Sequence, residues 1–234
     1  MGLSTKEIKT GEGGIPKVIA PGDHVLKINK VELKRWPFMD ADDGYFFVLH
    51  TETEAIEGFE GFFFDKDDES LGRHSGQIGQ IKTNRYYYKD GETKSGIQIS
   101  RDTEILKQIK NICMAADALE WFDKVDNKFN SIEEFVEAFN TKAPFKDKFF
   151  NICVGGKEFE RKNGYIGHDL FFPKGEKGKV VLEGKDSAVS KVLAYNESKH
   201  LMKIDAAKVS SFTGDETPVI PGGDPLAGAP EFEL

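Results

Sequence analysis

The spacing of apolar residues changes twice along this chain, and no other feature restricts its fold as closely. Up to about residue 100 the apolar residues come in short aromatic and β-branched runs separated by Gly, Pro and Asp, the pattern of strands and turns. From Arg101, in RDTEILKQIKNICMAADALEWF, residues Ile105, Leu106, Ile109, Ile112 and Cys113 fall on one side of a helix, with Asp102 placed to cap its start. NSIEEFVEAFN predicts a second helix: Ser131 caps it, Glu134 completes a capping box, and Ile132, Phe135, Val136 and Phe139 share a face. After Pro144 strands return at KFFNICVGG, GYIGHDLFF and GKVVLEG.

The first strand is expected in PGDHVLKINKVELKRW and the second in DDGYFFVLHTETE, joined as a hairpin through a loop at 37–44. GFEGFFFD reads as a third, short strand. IKTNRYYYKDGETKSGIQIS reads as a further hairpin with Asp90-Gly91 in its turn. The order is strands, a helical insertion at about 101–140, and strands. A mainly β (α+β) domain is expected, and an OB-type five-stranded Greek-key barrel has its helical element in that place. Other α+β domains share the order. Residues 1–20 read as a flexible arm, 21–208 as one OB-like domain, and 209–234 as a disordered acidic tail.

No run of about 18 apolar residues is present, so a membrane partner is not expected. The first residues lack a basic-then-apolar leader pattern, and Cys113 and Cys153 lie outside any C-x-x-C; both points predict reduced thiols in the cytoplasm. Net charge is −8, which on its face disfavours nucleic acid. The acid is concentrated in 36–70 and 209–234, however, which leaves basic stretches between them.

Catalytic patterns are absent. DKDDES (Asp65, Asp67, Asp68, Glu69) fails as a calcium loop, because Ser70 stands where glycine is needed and Gly76 where glutamate is needed. A solvated acidic turn is the better reading, with a metal-dependent nuclease as a weak alternative. His24, His50, His74, His168 and His200 show no zinc spacing, and there is no nucleophile elbow or Walker loop. An enzyme is not expected, nor a cofactor or metal.

What recurs is aromatic beside basic. LKRWPF offers Arg35 and Trp36, RYYYK offers Arg85, Tyr86, Tyr88 and Lys89, and GKEFERKNGY offers Lys157, Phe159, Arg161, Lys162 and Tyr165. Single-stranded nucleic acid needs this combination, since cations follow the phosphates and flat rings stack on bases. Strand alternation would turn Tyr86 and Tyr88 outward and Tyr87 inward. Taken singly, each ring is also a candidate core residue. The tail carries Asp215, Glu216, Asp224, Glu231 and Glu233 without a base, and Phe232 near its end. It suits a competitor for a basic groove or a dock for other replication or recombination proteins.

PGDHVLKINKVEL, GFEGFFFDKDDESLGRHSGQIGQIK, ILKQIKNICMAADALEW and VGGKEFERKNGYIGHDLFFPK together resemble a phage-encoded single-stranded DNA-binding protein of the crAss-like phages of gut Bacteroides, over about residues 21–174. The resemblance implies an OB-type barrel and binding of single strands without sequence preference. It also implies no enzymatic activity, and a role in replication, recombination or repair in the bacterial host cytoplasm. Glu233 and Leu234 follow Phe232, a departure from the acidic tails with terminal aromatics common in that class. The rival expectation is a phage structural or assembly protein whose exposed rings are protein contacts.

Overall fold

The computed structural model describes residues 14–36, 39, 44–161, 165–188 and 190–204. Lys162 and the tail residues Asp215, Glu216, Asp224, Glu231 and Phe232 lie outside them, as do residues 1–13 of the expected arm.

Among the described residues, nine strands and four α-helices follow in the order β1 (Gly22–Lys34), β2 (Phe46–Thr53), β3 (Ile78–Lys82), β4 (Gly91–Glu92), β5 (Gln98–Ile99), α1 (Arg101–Ala115), α2 (Leu119–Lys124), α3 (Ile132–Lys142), β6 (Phe149–Glu160), β7 (Ile166–Phe171), β8 (Leu182–Gly184), α4 (Glu197–His200) and β9 (Leu201–Met202). Five of the strands close on themselves. β1 pairs with β2, β2 with β3, β6 with β7 and β6 with β1, all antiparallel, while β3 meets β7 in parallel through Ile81↔Leu170 and Lys82↔Phe171. β8 and β9 add to β6, and β4 with β5 forms a separate two-stranded sheet.

The ring closes because β1 serves two neighbours in turn. Gly22–Lys27 pair with β6, and Leu26–Lys34 pair with β2 across a register shift between Ile28 and Lys30. Its apolar residues Leu26, Ile28 and Val31 pack with Phe47 and Leu49 of β2, Ile81 of β3, Leu170 of β7 and Phe150, Ile152 and Val154 of β6. Ile105, Ile109 and Ile112 of α1 and Ile132, Phe135, Val136 and Phe139 of α3 belong to the same core, so the predicted helical stripes are the buried faces. Ser131 caps α3 by accepting the Glu134 N–H at 3.2 Å, while the Glu134 carboxylate takes the Asn130 N–H at 3.0 Å, one residue earlier than a capping box requires.

Two polar contacts hold the ring to its surroundings. Past Lys27, β1 has no register with β6, and Asn140 of α3 fills the edge there. The Val31 N–H donates to Asn140 Oδ1 at 2.9 Å, and Asn140 Nδ2 donates to the Val31 carbonyl at 2.8 Å. Glu52, only 1% exposed, accepts from Lys27 Nζ at 2.9 Å and from the N–H groups of Ser75 and Gly76 at 3.1 and 3.2 Å. It thereby ties the end of the loop at 54–77 to β1.

Several expectations are corrected. GFEGFFFD is not a strand: only Phe63 makes an isolated bridge, to Arg73, because the segment folds back on its own loop. The turn of the β4–β5 hairpin is at 93–96, where Gly96 takes φ +80°, and Gly91 is in β4. Ser100, not Asp102, caps α1. The arm ends early, since Val18 bridges Ile78 and Ile19 is buried in the core. α4 and β9 had no signal beyond a four-residue and a two-residue run.

Asn140→Ala should lower the unfolding free energy by about 2 kcal/mol, because two backbone groups of Val31 lose their partner. Burial alone would push the Glu52 carboxyl up, but the bond and charge of Lys27, with the Gly76 N–H and His74, outweigh it and hold the group below the usual range. Its contribution is complete above the ordinary glutamate pKa of about 4.3 and is lost as pH falls through the lower folded value. Urea unfolding from pH 7 to pH 3 should therefore show Glu52→Gln less stable at pH 7 and flatter on the acid side; curves parallel to the unsubstituted protein would contradict this.

Candidate nucleic-acid interface

Strand alternation defines a second face on the ring. Phe47, Leu49, Ile81 and Leu170 point into the core, so Phe46 and Val48 of β2, Lys82 of β3 and Asp169 and Phe171 of β7 point the other way. The register carries that face onto β6, where Lys157 lies opposite Asp169 and Phe159 opposite Gly167. Phe159 leans across β7: a Cβ added at Gly167 would stand 2.6 Å from its ring and 2.7 Å from Arg161 Nε, so glycine leaves the room that ring and guanidinium occupy.

Rings gather at one end of this face. Trp36, in the β1–β2 connection, has its ring centroid 5.7 Å from that of Phe46, and Phe46 meets Tyr87 edge-on at 5.8 Å. Cations interleave with them. Lys82 Nζ lies 4.8 Å from the Phe46 centroid and 5.6 Å from that of Trp36, and pairs with Asp169 at 2.5 Å. Lys89 Nζ is 5.7 Å from the Tyr87 ring, and the Arg85 guanidinium 5.0 Å from that of Tyr86. Burial lowers the Lys157 pKa, and the charges of Arg85 and Lys82 lower it further against the pull of Asp169. Lys82, Arg85 and Lys157 thus lie close enough to act on one another, with Asp169 paired to Lys82.

The cluster continues at both margins. Arg35 and Arg101 hold their guanidiniums 4.2 and 5.1 Å from the Tyr45 ring, and the Tyr45 hydroxyl donates to Glu133 of α3 at 2.5 Å. At the β6–β7 turn the Arg161 N–H donates to the Tyr165 carbonyl at 2.9 Å, and Tyr165 is 72% exposed.

The structure therefore brings Arg35, Trp36, Arg85, Lys89, Lys157 and Phe159 to one face or its rim, with Arg161 and Tyr165 at the hairpin end. Of the tyrosine triplet, Tyr86 faces outward as expected, while Tyr87 and Tyr88 do not follow the expected alternation. Residues 83–86 bend instead of continuing β3, so alternation does not apply; Tyr86 is 63% exposed, Tyr87 joins the ring cluster, and Tyr88 is 7% exposed. Tyr88 exchanges backbone bonds with Tyr45, and its hydroxyl meets Thr83 Oγ1 at 3.0 Å. Gly44 permits this approach, since a Cβ there would lie 1.9 Å from the Tyr88 carbonyl oxygen. The stacking role expected of Tyr88 does not survive.

Sequence reasoning missed Phe46, Lys82 and Asp169, and assigned Tyr87 to the interior. Phe46 and Lys82 each stand beside a core residue in an apolar run, and only the register shows which of two neighbours faces out. Asp65, Asp67, Asp68 and Glu69 are exposed at a loop tip, and among the described residues no three His, Cys, Asp or Glu side chains are arranged to hold a metal. Cys113 and Cys153 are free and buried, and burial pushes both thiols up to about 12. No helix among the described residues is long and apolar enough to cross a membrane. Comparison with protein-family models, curated proteins and solved structures gives no match.

Burial pushes the Tyr88 phenol up to about 12. Its neutral form supports the fold fully below the ordinary tyrosine pKa of about 10, and that support is lost as pH rises through the higher value. Ultraviolet titration should show one tyrosine ionising well above the others, and Tyr88→Phe should remove that step. Loss of a step near pH 10 instead would place Tyr88 at the surface.

Proposed function

We propose that this protein binds single-stranded DNA without sequence preference, through the outer face of β2, β3, β7 and β6. The grouping of Trp36, Phe46 and Tyr87 with Lys82, Arg85 and Lys157 carries this reading. The half-buried Trp36 and Tyr87 and the exposed Tyr86 and Tyr165 would receive bases, with the buried Phe46 ring as their floor, and the cations would receive phosphates.

The strand order supports an OB-type barrel as the finer description of the ring. A meander of three strands is followed by helices, then by two strands, the last of which runs parallel to the third. In such barrels the faces of the second and third strands and the loops after the first and fourth bind oligonucleotides. Here Arg35 and Trp36 follow the first ring strand, and Arg161 and Tyr165 lie in the turn after the fourth. Binding, not catalysis, is the activity, in keeping with a part in phage DNA replication, recombination or repair inside the bacterial host. The acidic tail would be the dock for partner proteins.

Titration of a fluorescent oligo-dT at several salt concentrations tests the reading. Affinity should fall with salt, with a log–log slope of about −0.7 per phosphate contacted. Trp36→Ala should cost about 1–3 kcal/mol of binding, and Lys157→Ala should make the slope shallower by about one contact, while Tyr88→Phe leaves affinity unchanged. Absence of saturable binding at low salt would favour the structural-protein alternative, and magnesium-dependent cleavage of the oligonucleotide would favour a nuclease.

A further inference from the structure

The loop between β2 and β3 presents an apolar and acidic surface that the DNA reading does not use. Phe64 is 54% exposed and Leu71 58%, on either side of the exposed acids Asp65, Asp67, Asp68 and Glu69. The loop is held in shape. The Phe64 ring packs on His74 at 4.3 Å, the Phe64 N–H donates to the Gly72 carbonyl, and Arg73 lies over Phe63 at 3.9 Å while donating to the Gly61 carbonyl. Glu52 fixes its end at Ser75 and Gly76.

Its chemistry complements the aromatic and basic face: carboxylates at the spacing of a short acidic run, beside a phenyl ring, opposite cations interleaved with rings. Within one molecule the two surfaces lie at opposite ends of the same strand pair. The loop leaves β2 at Thr53 and re-enters at Ile78, whereas the ring cluster is built on Phe46 and Lys82, at the opposite ends of the same two strands. Eight residues of strand separate the ends of β2 by about 25 Å. The loop is anchored at Glu52 and folded on itself through the Phe63–Arg73 bridge at its own end of those strands.

We propose that, without nucleic acid, this loop docks into the aromatic and basic face of a second copy of the chain. The carboxylates of Asp65, Asp67, Asp68 and Glu69 take the places of phosphates, and Phe64 takes the place of a base. Each copy then offers one loop and one face, so the contact is head-to-tail and open-ended, unlike a closed two-fold pair. Ionic attraction makes it weaken with salt. Single-stranded DNA competes for the same face and disperses the assembly. Only this last step rests on the proposed function.

Sedimentation velocity on the full chain tests the docking. At low salt, average mass should rise above the monomer with concentration and return to the monomer at high salt. The variant Asp65→Asn/Asp67→Asn/Asp68→Asn/Glu69→Gln should stay monomeric while binding oligo-dT as the unsubstituted protein does. The variant Arg85→Glu/Lys157→Glu should also stay monomeric. A 1:1 mixture of the two should form dimers and nothing larger, because one intact loop meets one intact face. A monomer at every concentration, association that the loop variant preserves, or a mixture that stays monomeric would each overturn the proposal. Added oligo-dT should disperse the assemblies; DNA that binds without dispersing them would remove the shared face and overturn it too. Loop-dependent association in a protein that binds no oligo-dT would uphold the docking and defeat the nucleic-acid reading instead.

Discussion

The closed ring depends on β1 pairing with two strands at once. Its first half belongs to β6 and its second to β2, and the overlap at Leu26 and Lys27 turns an open sheet into a ring without a free edge at that corner. The register shift after Ile28 supplies the bend. Such a bend leaves backbone groups exposed on one side, and Asn140 takes up both groups of Val31. One side chain thus stabilises the corner of the ring and seats the helical insertion against it. Glu52 acts similarly at the other end of the strand pair, where a single buried carboxylate joins β1, β2 and the long loop.

The face proposed to bind nucleic acid is a by-product of that closure. Once Phe47, Leu49, Ile81 and Leu170 are committed to the core, their neighbours have one direction left. Lys82 shows the cost: its side chain is 9% exposed, and a cation so placed needs a partner, which Asp169 supplies. The Lys157 pKa is lowered first by burial and then by the charge of Arg85, against the pull of Asp169. On the proposed reading, phosphates would join these cations at the face. The rings meanwhile shield the cations from water on one side, which strengthens their pull on an anion.

The sequence disclosed the elements more readily than their faces. The change from strand to helix near Arg101 is visible because Ile105, Ile109 and Ile112 repeat at helical spacing, and the insertion lies where that spacing puts it. β1, β2, β6 and β7 each carry enough β-branched and aromatic residues to stand out. GFEGFFFD misleads for the same reason, since its composition suits a strand while its partner, Arg73, lies inside its own loop. The tyrosine triplet fails differently. Alternation holds only while the chain stays extended, and the bend after Thr83, together with the bond from Tyr88 to that same threonine, depends on contacts with Gly44 and Tyr45 far back in the sequence. The aromatic-basic pairing was legible as composition, whereas its assembly around Phe46 and Lys82 was not, because register decides it.

Photocrosslinking to a halogenated single-stranded oligonucleotide, with the attached peptides identified by mass spectrometry, bears most directly on the central claim. Adducts should form at Trp36, Tyr87 and Phe159, with Tyr86 or Tyr165 at the margins, and none in α1 to α3. Adducts confined to the helices or to the loop at 54–77, with the outer face of the ring untouched, would contradict it.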